Sequence, residues 1–121
     1  MRALIALLIA ALALAAAACG GDDGGGGGAA STGSCPGDAV TITMKDIKFD
    51  PDTATATVGQ TICWVNEDTV EHNAVANSGA DFKSELFAKG KTFTAKVDKP
   101  GTVKYECTIH PGMTGEITVG R

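Results

Sequence analysis

The sequence has no run of basic residues, no internal repeat and, outside its N-terminal third, no long window with the 3.6-residue apolar period of a helix. Ten Lys and Arg residues stand against 14 Asp and Glu residues, which leaves a formal net charge of −4 at pH 7. A mildly acidic chain without a cationic cluster has nothing to attract nucleic acid. These absences exclude a nucleic-acid-binding protein and a helical bundle.

A long membrane-spanning run is also missing. The apolar run of residues 3–18 is shorter than the roughly 20 residues that span a bilayer comfortably, so a cleaved signal is favoured over a retained helix. The run ends in AAAAC at Cys19 and resembles a bacterial lipoprotein signal, although Ala16 stands where such signals usually have leucine. Residues 1–19 are therefore predicted to be an export signal of lipoprotein type, with Cys19 lipidated; ordinary secretory cleavage nearby is the alternative. Either route places the protein at the outer face of the cell membrane, in the periplasm or outside the cell.

Residues 20–34, GGDDGGGGGAASTGS, contain almost no side chain that could be buried. Such a segment does not offset its ordering entropy, and it is predicted to be a flexible tether. A phosphate-binding loop is excluded because no Gly-Lys-Ser/Thr motif follows and no strand precedes.

Residues 35–121 show the two-residue alternation of half-buried strands. Val40, Ile42 and Met44 alternate with polar residues, and further on Val103 and Tyr105 share one face. Turn-forming dipeptides rich in Gly, Pro and Asp separate these runs. The pattern predicts one all-β domain, a sandwich or a barrel, in which residues 77–88 are the hardest to assign: a loop with a helical turn or an edge strand.

One short stretch near the C-terminus, YECTIHPGM (residues 105–113), concentrates rare polarizable side chains. It places Cys107, His110 and Met113 at three-residue intervals. A turn at Pro111-Gly112 would bring the imidazole and the thioether back towards the thiolate. This soft-to-borderline donor set suits copper, whereas zinc sites seldom use thioether.

The chain contains two histidines in all, so the second imidazole that such a site needs is His72. It follows the apolar strand around Trp64, in WVNEDTVEHN. Two imidazoles and a thiolate in a plane, with Met113 weak and axial, match the arrangement of blue-copper electron-transfer sites.

With these residues in view, residues 39–121 resemble a cupredoxin of the plastocyanin/amicyanin group. The resemblance rests on VGQTICWVNEDTVEHN and GTVKYECTIHPGMTGEITV, whose Cys-x2-His-x2-Met spacing is that of amicyanin, whereas plastocyanins typically have a longer gap. It implies a Greek-key β-sandwich, a single type 1 copper ion held by His72, Cys107, His110 and Met113, and one-electron transfer. Glu71 departs from the family, which often has proline there.

The resemblance also implies roles around the ligands and the kind of partner. Asn73 would tie the two ligand loops together, and His110 would lie closest to solvent. The protein would exchange electrons with redox partner proteins, would not be an enzyme and would be a monomer. A protein for copper delivery or storage is the alternative function.

Other interpretations of the site residues are weaker. If Cys107 were half of a disulfide, the spacing of the histidine and methionine would be unexplained. If it were a Cys–His nucleophile, the protein would need a substrate cleft, for which so small a domain offers little evidence. A copper nitrite reductase needs a second, histidine-rich copper centre, which two histidines cannot build.

Two further cysteines, Cys35 and Cys63, are predicted to form a disulfide, because exported thiols commonly pair in an oxidising compartment; two separate thiols are the alternative. Cys63 alternates with Ile62 and Trp64 and should point away from the core. The acidic residues Glu67, Asp68 and Glu71 form either a solvated turn or a docking patch for a basic partner.

Overall fold

The computed structural model describes residues 31–32 and 34–121; the predicted export signal, Cys19 and most of the predicted tether lie outside the described residues. The strands are β1 (Ser31–Thr32), β2 (Val40–Lys45), β3 (Lys48–Asp50), β4 (Thr53–Thr57), β5 (Thr61–Asn66), β6 (Val75–Ser78), β7 (Lys91–Lys96), β8 (Gly101–Glu106) and β9 (Thr114–Gly120). Within this part of the chain no helix has the length and apolar character needed to cross a membrane.

The strands form two sheets, with orders β1-β7-β5-β2-β3 and β4-β9-β8-β6. The pairs β2·β5 and β4·β9 are parallel, and the other pairs are antiparallel. From β3 to β8 the chain passes to the opposite sheet at every step, so consecutive strands are seldom neighbours. The predicted all-β Greek-key sandwich is confirmed.

The core fills the space between the sheets, and the alternation seen in the sequence explains which residues enter it. Ile42 and Met44 of β2 are fully buried, as are Val103 and Tyr105 of β8 to within 1%. The few aromatic residues concentrate there, with the ring of Trp64 4.9–5.5 Å from those of Phe82, Phe93 and Tyr105. Aromatic contacts at this spacing add to the stabilisation from area burial, so a small domain gains a well-defined centre.

A disulfide joins Cys35 to Cys63 of β5, which confirms the predicted pairing. Ile62, Cys63 and Trp64 are all fully buried, so β5 is covered on both faces. Alternation correctly placed Cys63 opposite its neighbours, but the residue is not exposed, because β5 lies at the centre of its sheet and Cys35 lies against its outer face.

The chain between β5 and β7 holds the segment that was hard to assign. Within it, β6 is an edge strand paired with β8, and two isolated bridges pair His72 with Phe87 and Val75 with Lys83. Residues 77–88 therefore turn back along the edge strand without a helical turn.

Two residues of the predicted tether lie in a strand. Ser31 and Thr32 form β1, whose partners in β7 are Thr92 and Lys91. These two residues lie in a strand at the edge of the sheet, where sequence composition predicted linker.

Candidate metal centre

The loop between β8 and β9 has a closed backbone. Cys107 N–H donates to Met113 C=O at 2.9 Å, and Met113 N–H donates to His110 C=O at 3.0 Å. Gly112 adopts φ 88°, a left-handed conformation that glycine accepts readily. The turn inferred from Pro111-Gly112 is therefore present, and it returns the chain at Met113 to the backbone of Cys107.

His72 reaches the same end of the sandwich from the connection between β5 and β6. Its backbone pairs with Phe87, with Phe87 N–H donating to His72 C=O at 2.9 Å and His72 N–H donating back at 3.3 Å. The residue is fully buried. This bridge fixes the backbone of His72 at this end of the sandwich.

Three donor atoms from these segments converge. The Sγ of Cys107 lies 3.8 Å from Nδ1 of His72 and 3.4 Å from Nδ1 of His110. The two Nδ1 atoms are 3.1 Å apart. A triangle with these edges has its centre roughly 2 Å from each corner, which is the length of a bond from a first-row metal ion to imidazole nitrogen.

The donors fit copper in chemistry as well as in spacing. One thiolate and two imidazoles form the equatorial set of a blue-copper site, and a trigonal arrangement of this kind is not one that hard cations choose. Cys107 and His72 are buried, whereas the side chain of His110 is only partly buried. The set therefore has a dry interior side and one ligand near solvent.

Met113, the fourth residue expected at the site, is 2% exposed and follows the turn directly. Its backbone bonds to both Cys107 and His110 anchor it beside them. The structure thus brings all four expected residues to one end of the sandwich, with three donor atoms within 4.8 Å of one another.

Asn73 connects the two ligand-bearing loops. Its side-chain Oδ1 accepts a hydrogen bond from the N–H of Thr108 at 2.8 Å, and its Nδ2 donates to Thr108 Oγ1, also at 2.8 Å. Because Asn73 follows His72 and Thr108 follows Cys107, this pair of bonds sets the spacing between two of the three donors.

Asp68 is a residue at this site that sequence reasoning missed. The sequence placed it in a solvated turn or a docking patch, but its carboxylate points inward, and Oδ2 lies 2.7 Å from Nε2 of His72. Burial raises the pKa of Asp68, but hydrogen bonds from Ile47 N–H, His72 and Asp46 N–H together outweigh it, so the net pKa is lowered. The only signal in the sequence was its four-residue separation from His72.

Residues 37–120 match the family of copper binding proteins described as plastocyanin/azurin. The chain belongs to this family. The match spans both ligand-bearing loops and all the strands except β1, so it includes the segments that supply the donor atoms.

Individual relatives agree with this assignment. Amicyanin of Paracoccus versutus is 30% identical over 88 residues, which cover 69% of this chain and 67% of that protein. Plastocyanin of Scenedesmus fuscus is 37% identical over 83 residues, 59% of this chain and 85% of that protein. The structure of a Cu(I) form of an amicyanin variant is 26% identical, with a TM-score of 0.66 over 71% of this chain and 86% of the other. A reduced amicyanin variant at 22% identity shares the fold, with a TM-score of 0.72 over 78% of this chain and 94% of the other.

Proposed function

We propose that the protein is a one-electron carrier with a single type 1 copper ion, which His72, Cys107, His110 and Met113 would hold, with the thioether of Met113 as the weakest donor. The observation that carries the proposal is the convergence of one thiolate and two imidazoles from separate loops at the end of a rigid sandwich. Two imidazoles and a thiolate with a distant thioether form the donor set of blue-copper electron-transfer sites.

When bound, copper supplies a couple between Cu(I) and Cu(II), and the protein's part is to keep its ligands from moving. The backbone bridge at His72, the closed loop at Cys107 and the bonds between Asn73 and Thr108 each restrict one donor. Ligands that stay in place between oxidation states require little rearrangement, which favours fast electron transfer.

The burial of the ligands separates their roles. Cys107 and His72 are buried, so water would be kept away from the copper on their side of the site. The low local dielectric there would affect the reduction potential. His110 is the donor with partial exposure, and we assign it as the route by which electrons leave and enter. Met113 would tune the potential as the weakest of the four donors.

The test is the visible spectrum and the voltammetry of the purified, copper-loaded protein. An intense thiolate-to-copper band together with a reversible one-electron wave is the expected result. A colourless protein that binds only Cu(I) and passes it to an acceptor would instead identify a protein for copper delivery or storage.

The cellular setting proposed from the sequence is export, with residues 1–19 as the signal, Cys19 as a lipid anchor and residues from 20 onward as a tether to the domain. The Cys35–Cys63 disulfide supports an oxidising compartment. Mass spectrometry of the mature N-terminus tests this, with a diacylglyceryl-modified Cys19 as the expected finding. An N-terminus beyond residue 19 would indicate ordinary secretion.

We also propose how the protein interacts with other molecules. It acts as a monomer that exchanges electrons with redox partner proteins, and it does not catalyse a reaction on a small substrate. For an enzyme with a second, histidine-rich copper centre, the composition supports the second statement, since two histidines serve one copper site and leave none for another. Steady-state assays of the copper protein with nitrite should give no turnover.

A further inference from the structure

The carboxylate of Asp68 lies between the ring of the proposed metal ligand His72 and the turn formed by Asp46 and Ile47. One carboxylate oxygen, Oδ2, contacts Nε2 of His72 at 2.7 Å and accepts from the N–H of Ile47 at 2.9 Å. The other, Oδ1, accepts from the N–H of Asp46 at 2.8 Å. The carboxylate thus has a hydrogen-bond partner on each side.

The turn that contacts it has an unusual backbone. Asp46 and Ile47 join β2 to β3 with φ values of 53° and 57°, and they are the only non-glycine residues with positive φ among those described. Two-residue hairpins of this kind normally use Asn-Gly or Asp-Gly, and a β-branched residue in the left-handed region is an outlier. The side chain of Ile47 is 48% exposed, so its packing does not account for the conformation.

The left-handed backbone lets the N–H groups of Asp46 and Ile47 both donate to one carboxylate. Two successive N–H groups in such a turn form a concave anion-binding nest. Here the anion is the side chain of Asp68, 21 and 22 residues away along the chain. Strain of this type persists where surrounding contacts over-determine it, often beside a functional site.

The chain around Asp68 is fixed as well. Asn66 is fully buried, and its Oδ1 accepts from the N–H of Asp68 at 2.8 Å. Its Nδ2 donates to the carbonyls of Val70 at 2.9 Å and Phe87 at 2.8 Å. Neither the backbone nor the carboxylate of Asp68 is free to shift away from His72.

We propose that Asp68, held by the nest at Asp46 and Ile47, is a positioning residue for the metal centre. Both carboxylate oxygens of Asp68 accept backbone N–H groups, so Oδ2 is placed as an acceptor for Nε2 of His72, and we expect the ring proton on Nε2. Nδ1 is then left with its lone pair facing Cys107 and His110, and the neighbouring negative charge makes it a stronger donor. Of the two tests below, the first uses the copper-free protein and does not depend on the proposed copper function. The second uses the copper-loaded protein and rests on that function.

The first test uses the copper-free protein. Nitrogen-15 NMR of the imidazoles should show the His72 proton on Nε2 and protected from exchange with solvent. In Asp68→Asn the tautomer should become mixed, because an amide can present either a donor or an acceptor, while Glu67→Gln and Glu71→Gln keep the wild-type signals. A wild-type His72 protonated on Nδ1 alone overturns the proposal, and that measurement requires no variant to fold.

The second test compares the same proteins loaded with copper. Loss of a partner that orients a metal-binding histidine typically lowers metal affinity about 10- to 100-fold. We expect that loss for Asp68→Asn in chelator competition, together with a rise in reduction potential larger than in Glu67→Gln or Glu71→Gln, which remove the same charge from exposed positions. Asp68→Glu should recover part of both.

The outcomes are distinguishable. If Asp68→Asn matches the two glutamate variants in affinity and potential, the carboxylate acts only through net charge and the proposal is wrong. If the wild-type protein takes up no copper, the proposed function fails, while the tautomer of His72 still decides whether Asp68 positions the ring.

Discussion

Asn73 and Thr108 lie 35 residues apart and exchange two hydrogen bonds, each 2.8 Å long, beside the copper-ligand group. One residue follows His72 and the other follows Cys107, so the β5–β6 and β8–β9 connections are joined next to their donor atoms. Rigidity of the site is in this respect a property of two side chains that do not themselves bind metal.

Replacing Asn73 should therefore loosen the site and destabilise the fold. Asn73→Ala removes both bonds, and at about 1 kcal/mol each we expect the free energy of unfolding to fall by about 2 kcal/mol. Denaturant unfolding of the copper-free protein measures this. Asn77→Ala, at an exposed position of β6, is the matched control and should change stability by less than about 0.5 kcal/mol; equal losses in the two variants would contradict the bridging role.

Cys107→Ser should abolish the visible band, because the band arises from charge transfer between thiolate sulfur and copper. The control is the double variant Cys35→Ser with Cys63→Ser, which removes two sulfur atoms from the disulfide and none from the site. That protein should keep its colour while losing about 3–4 kcal/mol of stability from the lost loop constraint. A coloured Cys107→Ser protein would show that the ligand assignment is wrong.

Met113→Leu should retain copper and raise the reduction potential, since losing a weak thioether donor would disfavour Cu(II) more than Cu(I). Met44→Leu makes the same exchange in the fully buried core and should leave the potential unchanged. Protein-film voltammetry of both variants makes the comparison. A shift of the same size in each would assign the effect of Met113 to packing alone.

Ile47→Gly should stabilise the copper-free protein by about 1 kcal/mol, because glycine adopts φ 57° without the steric cost that a β-branched residue carries. Val58→Gly is the control: it changes an exposed β-branched residue in another turn, where φ is not positive, and should be destabilising. Thermal unfolding of both variants decides the sign. Destabilisation by Ile47→Gly would mean that the turn is not strained.

The features that could be predicted from the sequence are those that depend on residues close together in the chain or on rare residue types. The alternation of Ile42 and Met44 predicted a strand because strand periodicity is a property of neighbouring residues. The site was predictable because Cys107 and His110 are rare residue types at diagnostic spacing, and the chain offers one other histidine, His72.

What the sequence did not reveal depends on contacts between distant segments. The role of Asp68 requires the turn at Asp46 and Ile47, and an Asp-Ile pair carries no glycine or asparagine to announce a left-handed backbone. The burial of Cys63 required knowing that β5 lies at the centre of its sheet. Both features follow from strand pairings, and alternation within one strand does not specify its partners.

The bond between Cys35 and Cys63 decides where a mechanical load enters the domain. A pull on the chain ahead of Ser31 first meets the short pairing of β1 with β7. Beyond that pairing the load passes through the disulfide to β5, the middle strand of the five, so β2 is not peeled from its neighbours first. Reduction of this bond would shift the point of attack to β2, and the same pull would then open the sandwich at lower force.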